Sequence, residues 1–190
     1  ADAGLRLLSD EIYHGITYGE RPSSALAHGD AAIVFNGFSK YFCMTGWRLG
    51  WMVVPEDLSA AVERLAQNLF ISAPNISQRS AITAFDCHDE LEANVAGYAR
   101  SRKLLLRELP KAGIDQFAPA DGAFYLYANV SNLTNDSADF CRRMLDETGV
   151  AVTPGIDFDA ERGTATVRIS FAGAEADMAE AAARLIDWLG

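Results

Sequence analysis

The chain has 190 residues, 49% of them apolar and 22% charged, which is typical of a folded protein that buries a core. Its formal charge of −10 argues against nucleic acid as a partner, because an acidic surface repels phosphate backbones. No apolar run approaches the length that crosses a bilayer, and we therefore expect no membrane partner.

Cysteine and histidine usage indicates neither a disulfide framework nor a metal site. The three cysteines are odd in number and far apart, which favours reduced thiols and a cytoplasmic protein. The histidines are not grouped for metal binding, and we expect them in loops or at the surface. These residues are Cys43, Cys87 and Cys141, and His14, His28 and His88.

The first half of the chain predicts an α/β arrangement. Apolar runs at 5–8, 31–35 and 49–54 predict strands, and their lack of alternation predicts cover on both faces of the sheet. Apolar residues at helical spacing then predict helices at 56–70 and 75–87. A longer helix is predicted from 89 to 109, ended by Pro110 and Gly113, and it is a candidate domain connector.

The second half predicts shorter elements of a small α+β domain. Strands are expected at 114–117, 123–130, 150–153 and 164–171. One helix is expected to start near 135–137 and stop at Gly149, and a last helix at 175–189. The predicted domains are therefore residues 1–88 and residues 89–190, the second including the connecting helix.

Two residues of opposite charge directly follow predicted strands. Asp10 and Lys40 both stand where side chains of an α/β sheet collect around a ligand. A structural ion pair between a carboxylate and an amine is the alternative interpretation. The residues around them favour a site.

Several motifs carry a resemblance to a known family. They are SDEIYHG at 9–15, GFSKYFCMTGWRLG at 37–50, APNISQ at 73–78, DGAFYLY at 121–127, VAVTPG at 150–155 and VRISFA at 167–172. In this order they resemble the class I/II aminotransferases, which are fold-type I pyridoxal-phosphate enzymes. Ordered motifs along the whole chain are stronger evidence than any single one.

The resemblance implies an architecture and an activity. The implied fold is part of a three-layer α/β/α large domain that binds pyridoxal 5'-phosphate, followed by a small α+β carboxy-terminal domain. The implied reaction transfers an amino group between an L-amino acid and a 2-oxo acid in amino-acid metabolism. Relatives are about twice as long and homodimeric, so the chain is expected to be the carboxy-terminal half of such an enzyme.

The resemblance also implies roles for Lys40, Asp10 and Tyr13 as catalytic residues. Lys40 is expected to form the internal aldimine with the cofactor and then to move a proton as general base and acid. Asp10 is expected to hold the pyridine nitrogen protonated, since a carboxylate favours the charged ring. Tyr13 is expected to donate its hydroxyl to the phenolic oxygen of the cofactor.

Further contacts follow from the same resemblance. Strand alternation places Ile12 on the side of Asp10, where it could pack on the cofactor ring. Arg48 is expected to hold the cofactor phosphate with its charged fork. Many relatives have a phosphate-binding serine where Gly37 stands, and Ser39 is a candidate replacement.

Arg168 is the predicted substrate-binding residue. Val167, Ile169 and Phe171 alternate away from it along a strand, so its side chain is expected to point away from the core. By the resemblance, it binds the substrate α-carboxylate through two hydrogen bonds. An arginine at the rim of the domain, paired with an acid, is the structural alternative.

Two other functions remain open from sequence. The same scaffold supports β-lyase, decarboxylase and deaminase reactions, which the residues named above do not separate. A non-catalytic fragment that serves association or regulation is the third hypothesis. The sequence does not identify the amino donor, because much of the substrate pocket is expected to lie outside this chain.

Overall fold

The computed structural model describes residues 4–190, in which five α-helices and two β-sheets form an α/β protein. The chain divides into two units after Ala93. The boundary falls within the long helix that the sequence predicts as a connector. The predicted domain division at residue 88 remains a prediction.

The first unit contains a three-stranded sheet whose order is β1-β2-β3. Strand β1 is Leu8–Asp10, β2 is Ile33–Gly37 and β3 is Gly50–Val53. β1 runs parallel to β2, and β3 runs antiparallel to it. A Cβ atom on Gly50 would lie 2.9 Å from the Asn36 carbonyl oxygen, so the start of β3 requires a glycine.

Three helices follow the sheet: α1 at Glu56–Leu69, α2 at Asn75–Ala84 and α3 at His88–Glu108. α1 begins directly after Pro55, with two acidic residues in its first turn that favour the positive end of the helix dipole. α2 packs against the turn after β2 through Ala81, which is buried with Phe38. The Phe38 ring also lies 5.6 Å from the Phe85 ring, measured between centroids.

The prediction that the outer strands are buried is wrong for these residues. β1 covers Leu8–Asp10 rather than 5–8, and Leu5 and Leu8 are 81% and 61% exposed. Trp51, Met52 and Val53 of β3 are also exposed. Since β1 and β3 are the edges of the sheet, only β2 has a strand on each side. The predicted three-layer arrangement remains a prediction.

The second unit contains a four-stranded antiparallel sheet in the order β4-β5-β7-β6. Its strands are β4 at Gln116–Phe117, β5 at Tyr125–Asn129, β6 at Thr153–Pro154 and β7 at Thr166–Ser170. Helix α4 is Ser137–Thr148 and α5 is Glu175–Leu189. The predicted helix at 175–189 is confirmed, whereas the predicted strand at 150–153 pairs only from Thr153 onward.

Helix α4 has clear signals at both ends. The Asp136 carboxylate accepts the Asp139 N–H at 3.0 Å and so caps the first turn. Gly149 ends the helix with a φ of 72°, in the left-handed region that suits glycine.

The helices and the sheet of the second unit together bury a core of large apolar side chains: Leu109, Ile114, Leu126, Val130, Phe140, Met144, Val167, Phe171 and Leu185.

Within the described residues, none of the helices combines the length and the apolar character that crossing a membrane requires.

Candidate active site

Asp10 is the last residue of β1, at the edge that the carboxyl ends of the parallel strands β1 and β2 form. Because the two strands are parallel, side chains that follow them collect at this edge. The Asp10 Oδ1 accepts the Ile12 N–H at 3.1 Å, a turn contact that aspartate commonly makes with nearby backbone. The carboxylate is therefore oriented by the turn while the residue stays exposed.

Lys40 lies in the turn that follows β2. The turn is closed by the Cys43 N–H, which donates to the Lys40 carbonyl at 3.0 Å, and by the Met44 N–H, which donates to the Phe38 carbonyl at 2.9 Å. The Lys40 Nζ lies 5.6 Å from the centroid of the Tyr13 ring, within the range of a cation–π contact. The structure thus brings together Lys40 and Tyr13.

Ile12 lies at this edge, but strand alternation does not place it there. β1 ends at Asp10, and Ile12 lies outside the strand. Its Cδ1 lies 3.3 Å from the position that a Cβ on Gly37 would take, and the Leu49 carbonyl oxygen lies 3.2 Å from the same position. A serine at position 37 would therefore be tightly packed, which accounts for the glycine.

Glu11 is a buried acidic residue that follows Asp10 directly, with 4% of its surface exposed. Its Oε1 accepts the Ala25 N–H at 2.8 Å and the hydroxyls of Ser24 and Ser9 at 3.0 and 3.2 Å. Burial opposes ionisation, yet these donors and the nearby His14 together hold the pKa of Glu11 below its ordinary value. Glu11 therefore anchors the residue 24–25 turn beside Asp10.

We expect Glu11→Gln to lower the free energy of unfolding by about 1–3 kcal/mol, because an amide replaces a buried acceptor of several hydrogen bonds. Urea unfolding of the purified protein measures this difference. The matched control is Glu63→Gln on exposed α1, which should change stability little.

The pH dependence gives the sign of the Glu11 effect. Because the pKa of Glu11 is lower in the folded state, its contribution is present above the ordinary glutamate pKa. That contribution is lost as the pH falls through the lowered value. The gap between the wild type and Glu11→Gln should therefore close under acid, and a gap independent of pH would contradict the assignment.

Tyr41, next to Lys40, holds the turn against two other segments of the first unit. Its hydroxyl donates to the Glu92 carboxylate at 2.7 Å and lies 3.1 Å from the His88 Nδ1. Burial, followed by the Glu92 contact, raises the pKa of Tyr41 to about 12, so the phenol stays neutral. A Cβ on Gly15, where φ is 95°, would lie 2.6 Å from the Tyr41 ring.

Arg48 has left-handed backbone geometry, with a φ of 50°, which is uncommon for a residue with a side chain. Its Nη1 donates to the Thr45 carbonyl at 2.9 Å. The preceding Trp47 is held by the buried Ser77, whose hydroxyl donates to the Trp47 carbonyl at 2.8 Å. Arg48, Thr45, Gly46 and Ser77 line one surface depression in the first unit.

Arg168 belongs to the second unit, where it lies on β7 between buried Val167 and buried Ile169. The predicted direction of its side chain, away from the core, is confirmed. The carbon at the centre of its guanidinium lies 4.3 Å from the centroids of both the Tyr125 and the Phe158 rings. Among residues 4–190, no acidic side chain forms an ion pair with it.

Comparison with known proteins shows the family to which the chain belongs. A model described as aminotransferase class I and II matches residues 1–185. The chain belongs to the class I and II aminotransferases.

Named relatives of this aminotransferase family share much of the sequence. A valine–pyruvate aminotransferase from Mycobacterium tuberculosis is 50% identical, over 97% of this chain and 49% of that protein. An aspartate aminotransferase from Sulfurisphaera tokodaii is 33% identical, over 96% of this chain and 48% of that protein. The chain therefore spans about half the length of the curated relatives it matches.

Solved aminotransferase structures have the same fold over the matched region. The crystal structure of an aminotransferase from Mycobacterium tuberculosis is 51% identical with a TM-score of 0.95, covering 99% of this chain and 50% of that one. An aspartate aminotransferase from Thermotoga maritima gives a TM-score of 0.85 at 29% identity, covering 99% of this chain and 48% of that one.

Sequence reasoning missed several residues that lie beside or contact the predicted site residues. Glu11 and Tyr41 stand next to Asp10 and Lys40, but an acidic or aromatic neighbour gives no signal that it is buried or bonded. Ser77 bonds the backbone of Trp47, 30 residues earlier, and Phe158 contacts Arg168 from the preceding loop. For Phe158 the available signal is the glycine pair at 155 and 163, which frames its loop.

Proposed function

We propose that this chain is the carboxy-terminal half of a pyridoxal-phosphate-dependent aminotransferase. The single observation that carries the proposal is the contact between Lys40 and Tyr13, near the end of β1, where Asp10 lies. The chain that places these residues together belongs to the aminotransferase family. The reaction transfers an amino group between an L-amino acid and a 2-oxo acid. The 50% identical valine–pyruvate aminotransferase supports valine and other small aliphatic amino acids as the first donors to test.

The donor set of the first unit fits pyridoxal phosphate. Asp10 would face the pyridine nitrogen, Ile12 the ring and Tyr13 the phenolic oxygen. Arg48 would bind the phosphate, since one of its nitrogens is bonded to Thr45 and the guanidinium has further donors. When bound, the cofactor supplies an electron-withdrawing ring that stabilises the charge left at the substrate Cα.

Lys40 carries the proton in this proposal. Its Nζ would hold the cofactor, and the same amine would accept the proton of the substrate Cα and return it. The closed turn at 38–44 limits where the amine can reach. Orientation of this kind is a large part of catalysis by positioned groups.

Arg168 holds the substrate in the same proposal. A guanidinium offers two parallel N–H donors to the α-carboxylate, which fixes the direction of the Cα bonds. The absence of an acidic partner among the described residues supports this role.

The remaining partners follow from the family. The enzyme is proposed to be a cytoplasmic homodimer, with the amino-terminal half completing the pocket. Exposed apolar side chains on the first unit, such as Leu8, Leu69 and Phe70, support the packing of that half against it.

A half-reaction panel on the full-length enzyme tests the proposal. Each donor, beginning with valine, alanine and aspartate, should bleach the visible absorbance of the Lys40-bound cofactor and yield one equivalent of its 2-oxo acid. Borohydride should trap the cofactor on Lys40, as located by mass spectrometry. Release of ammonia or carbon dioxide instead would favour the lyase, deaminase or decarboxylase alternatives, and failure to bind the cofactor would favour the non-catalytic one.

A further inference from the structure

We propose that Phe158 and Tyr125 are positioning residues that clamp the Arg168 guanidinium, so that it meets a substrate carboxylate only through its edge. The inference rests on the proposed function and adds two residues to it. It also defines the ligand chemistry, which is a carboxylate that lies in the plane of the guanidinium.

Two aromatic rings lie against the planar guanidinium of Arg168. The two ring centroids lie 4.3 Å from the guanidinium carbon, a distance typical of stacked arginine and aromatic groups. Stacking of this kind removes water from the faces and leaves the N–H donors at the edge. Because the donors lie in the guanidinium plane, fixing that plane fixes the direction of the hydrogen bonds.

Tyr125 supplies one face from within the sheet. On β5, Tyr127 pairs with Arg168, and Tyr125 pairs with Ser170. Tyr125 is therefore a diagonal neighbour of Arg168 on the same side of the sheet, within reach of a long side chain. The Tyr125 ring lies 4.8 Å from the Phe124 ring between centroids.

Phe158 supplies the second ring from the loop between β6 and β7. The Phe158 N–H donates to the Gly155 carbonyl at 2.9 Å, and the Phe158 ring lies 6.5 Å from the Tyr127 ring between centroids. Phe158 is 49% exposed, so the fold does not bury it as a core residue. The Phe158 ring contacts Arg168 and Tyr127.

The loop that carries Phe158 is held by a close backbone contact and by several hydrogen bonds. A Cβ on Gly163 would lie 2.5 Å from the Gly155 carbonyl group, so the two glycines are in close contact. The fully buried Ser137 donates its hydroxyl to the Gly163 carbonyl at 2.7 Å. The Asp159 carboxylate accepts the Glu161 and Arg162 N–H groups, both at 3.0 Å.

These contacts allow the effect of the Phe158 ring on Arg168 to be tested separately from the stability of the loop. A loop fixed at Gly155, Asp159 and Gly163 holds the Phe158 backbone whatever side chain it carries. Removing the ring should therefore free the guanidinium without unfolding the unit. The cofactor residues belong to the first unit and should keep their function.

The test uses the full-length enzyme with Phe158→Leu, Phe158→Tyr and Ile156→Ala. Phe158→Leu removes the aromatic face, Phe158→Tyr keeps it, and Ile156→Ala changes an exposed side chain of the same loop. The dissociation constant of isovalerate, an unreactive monocarboxylate, is measured by calorimetry. Values of kcat and KM for the best amino donor are measured in parallel.

Phe158→Leu should weaken isovalerate binding and raise KM about tenfold, the effect of losing one cation–π face, with kcat nearly unchanged. Phe158→Tyr and Ile156→Ala should match the wild type. Tyr125→Leu should weaken binding similarly, and Tyr125→Phe should not. If Phe158→Leu did not fold, the Tyr125 pair would decide the proposal by the same measurement.

Wild-type binding by both leucine variants would overturn the clamp. So would equal losses in Phe158→Tyr and Phe158→Leu, since the ring would then not be the determinant. Failure of the proposed function gives a different result, because the wild type itself would then lack the borohydride-trapped cofactor on Lys40.

Discussion

Lys40→Ala should lower kcat of the full-length enzyme by about 10⁴-fold, the upper end of what a positioned acid–base group contributes. In the proposed function, this side chain supplies both the attachment point for the cofactor and the amine that moves the Cα proton. The other two lysines of the chain, Lys103 and Lys111, belong to the second unit. Single-turnover kinetics with the best donor measure the loss.

The matched control for this change is Lys103→Ala on exposed α3, which should retain full activity. Added methylamine should restore part of the Lys40→Ala rate, because a small amine can occupy the space of the missing side chain. The absorbance of the lysine-bound cofactor should be absent from Lys40→Ala. Persistence of that absorbance would show that another residue binds the cofactor.

Gly163→Ala should destabilise the protein by about 3 kcal/mol, at the high end for an added methyl group in a packed region. The new Cβ would lie 2.5 Å from the carbonyl carbon and oxygen of Gly155 and from the Ile156 nitrogen. All three are backbone atoms, which cannot rotate away as a flexible side chain could. Urea unfolding of the purified variant measures the change.

Gly97→Ala on α3 is the control for the Gly163 change. Its Cβ would meet only the end of the Arg100 side chain at 3.7 Å, and alanine is the better helix former. This variant should be about 0.5–1 kcal/mol more stable than the wild type. A Gly163→Ala variant as stable as the wild type would mean that the contact between the glycine backbones can relax.

Much of the fold could be predicted because its signals are local. The helix at 175–189 has a continuous apolar face, and α4 has an aspartate cap and a glycine stop, so their limits follow from sequence. The exposure of β1 and β3 could not be predicted, because their continuous apolar runs indicate strands that are covered on both faces of the sheet. Whether such cover is present depends on chain beyond the local sequence.

The candidate site divides in the same way. Motif resemblance predicted roles for Lys40, Asp10 and Arg168, which stay predictions, and strand alternation gave the direction of Arg168 correctly. Alternation failed for Ile12 because the strand ends two residues earlier. The partners of Arg168 could not be predicted, because Phe158 reaches it through a loop whose shape depends on a close backbone contact between Gly155 and Gly163.

The contact between Gly155 and Gly163 also bears on how the proposed aminotransferase could evolve new substrate preferences. A backbone so closely packed tolerates neither added side chains at these two positions nor insertions that would separate them. The outward side chain of Phe158 is then a position where mutation can alter recognition at little cost to folding. We expect laboratory selection for altered donors to accumulate changes there and to leave both glycines untouched.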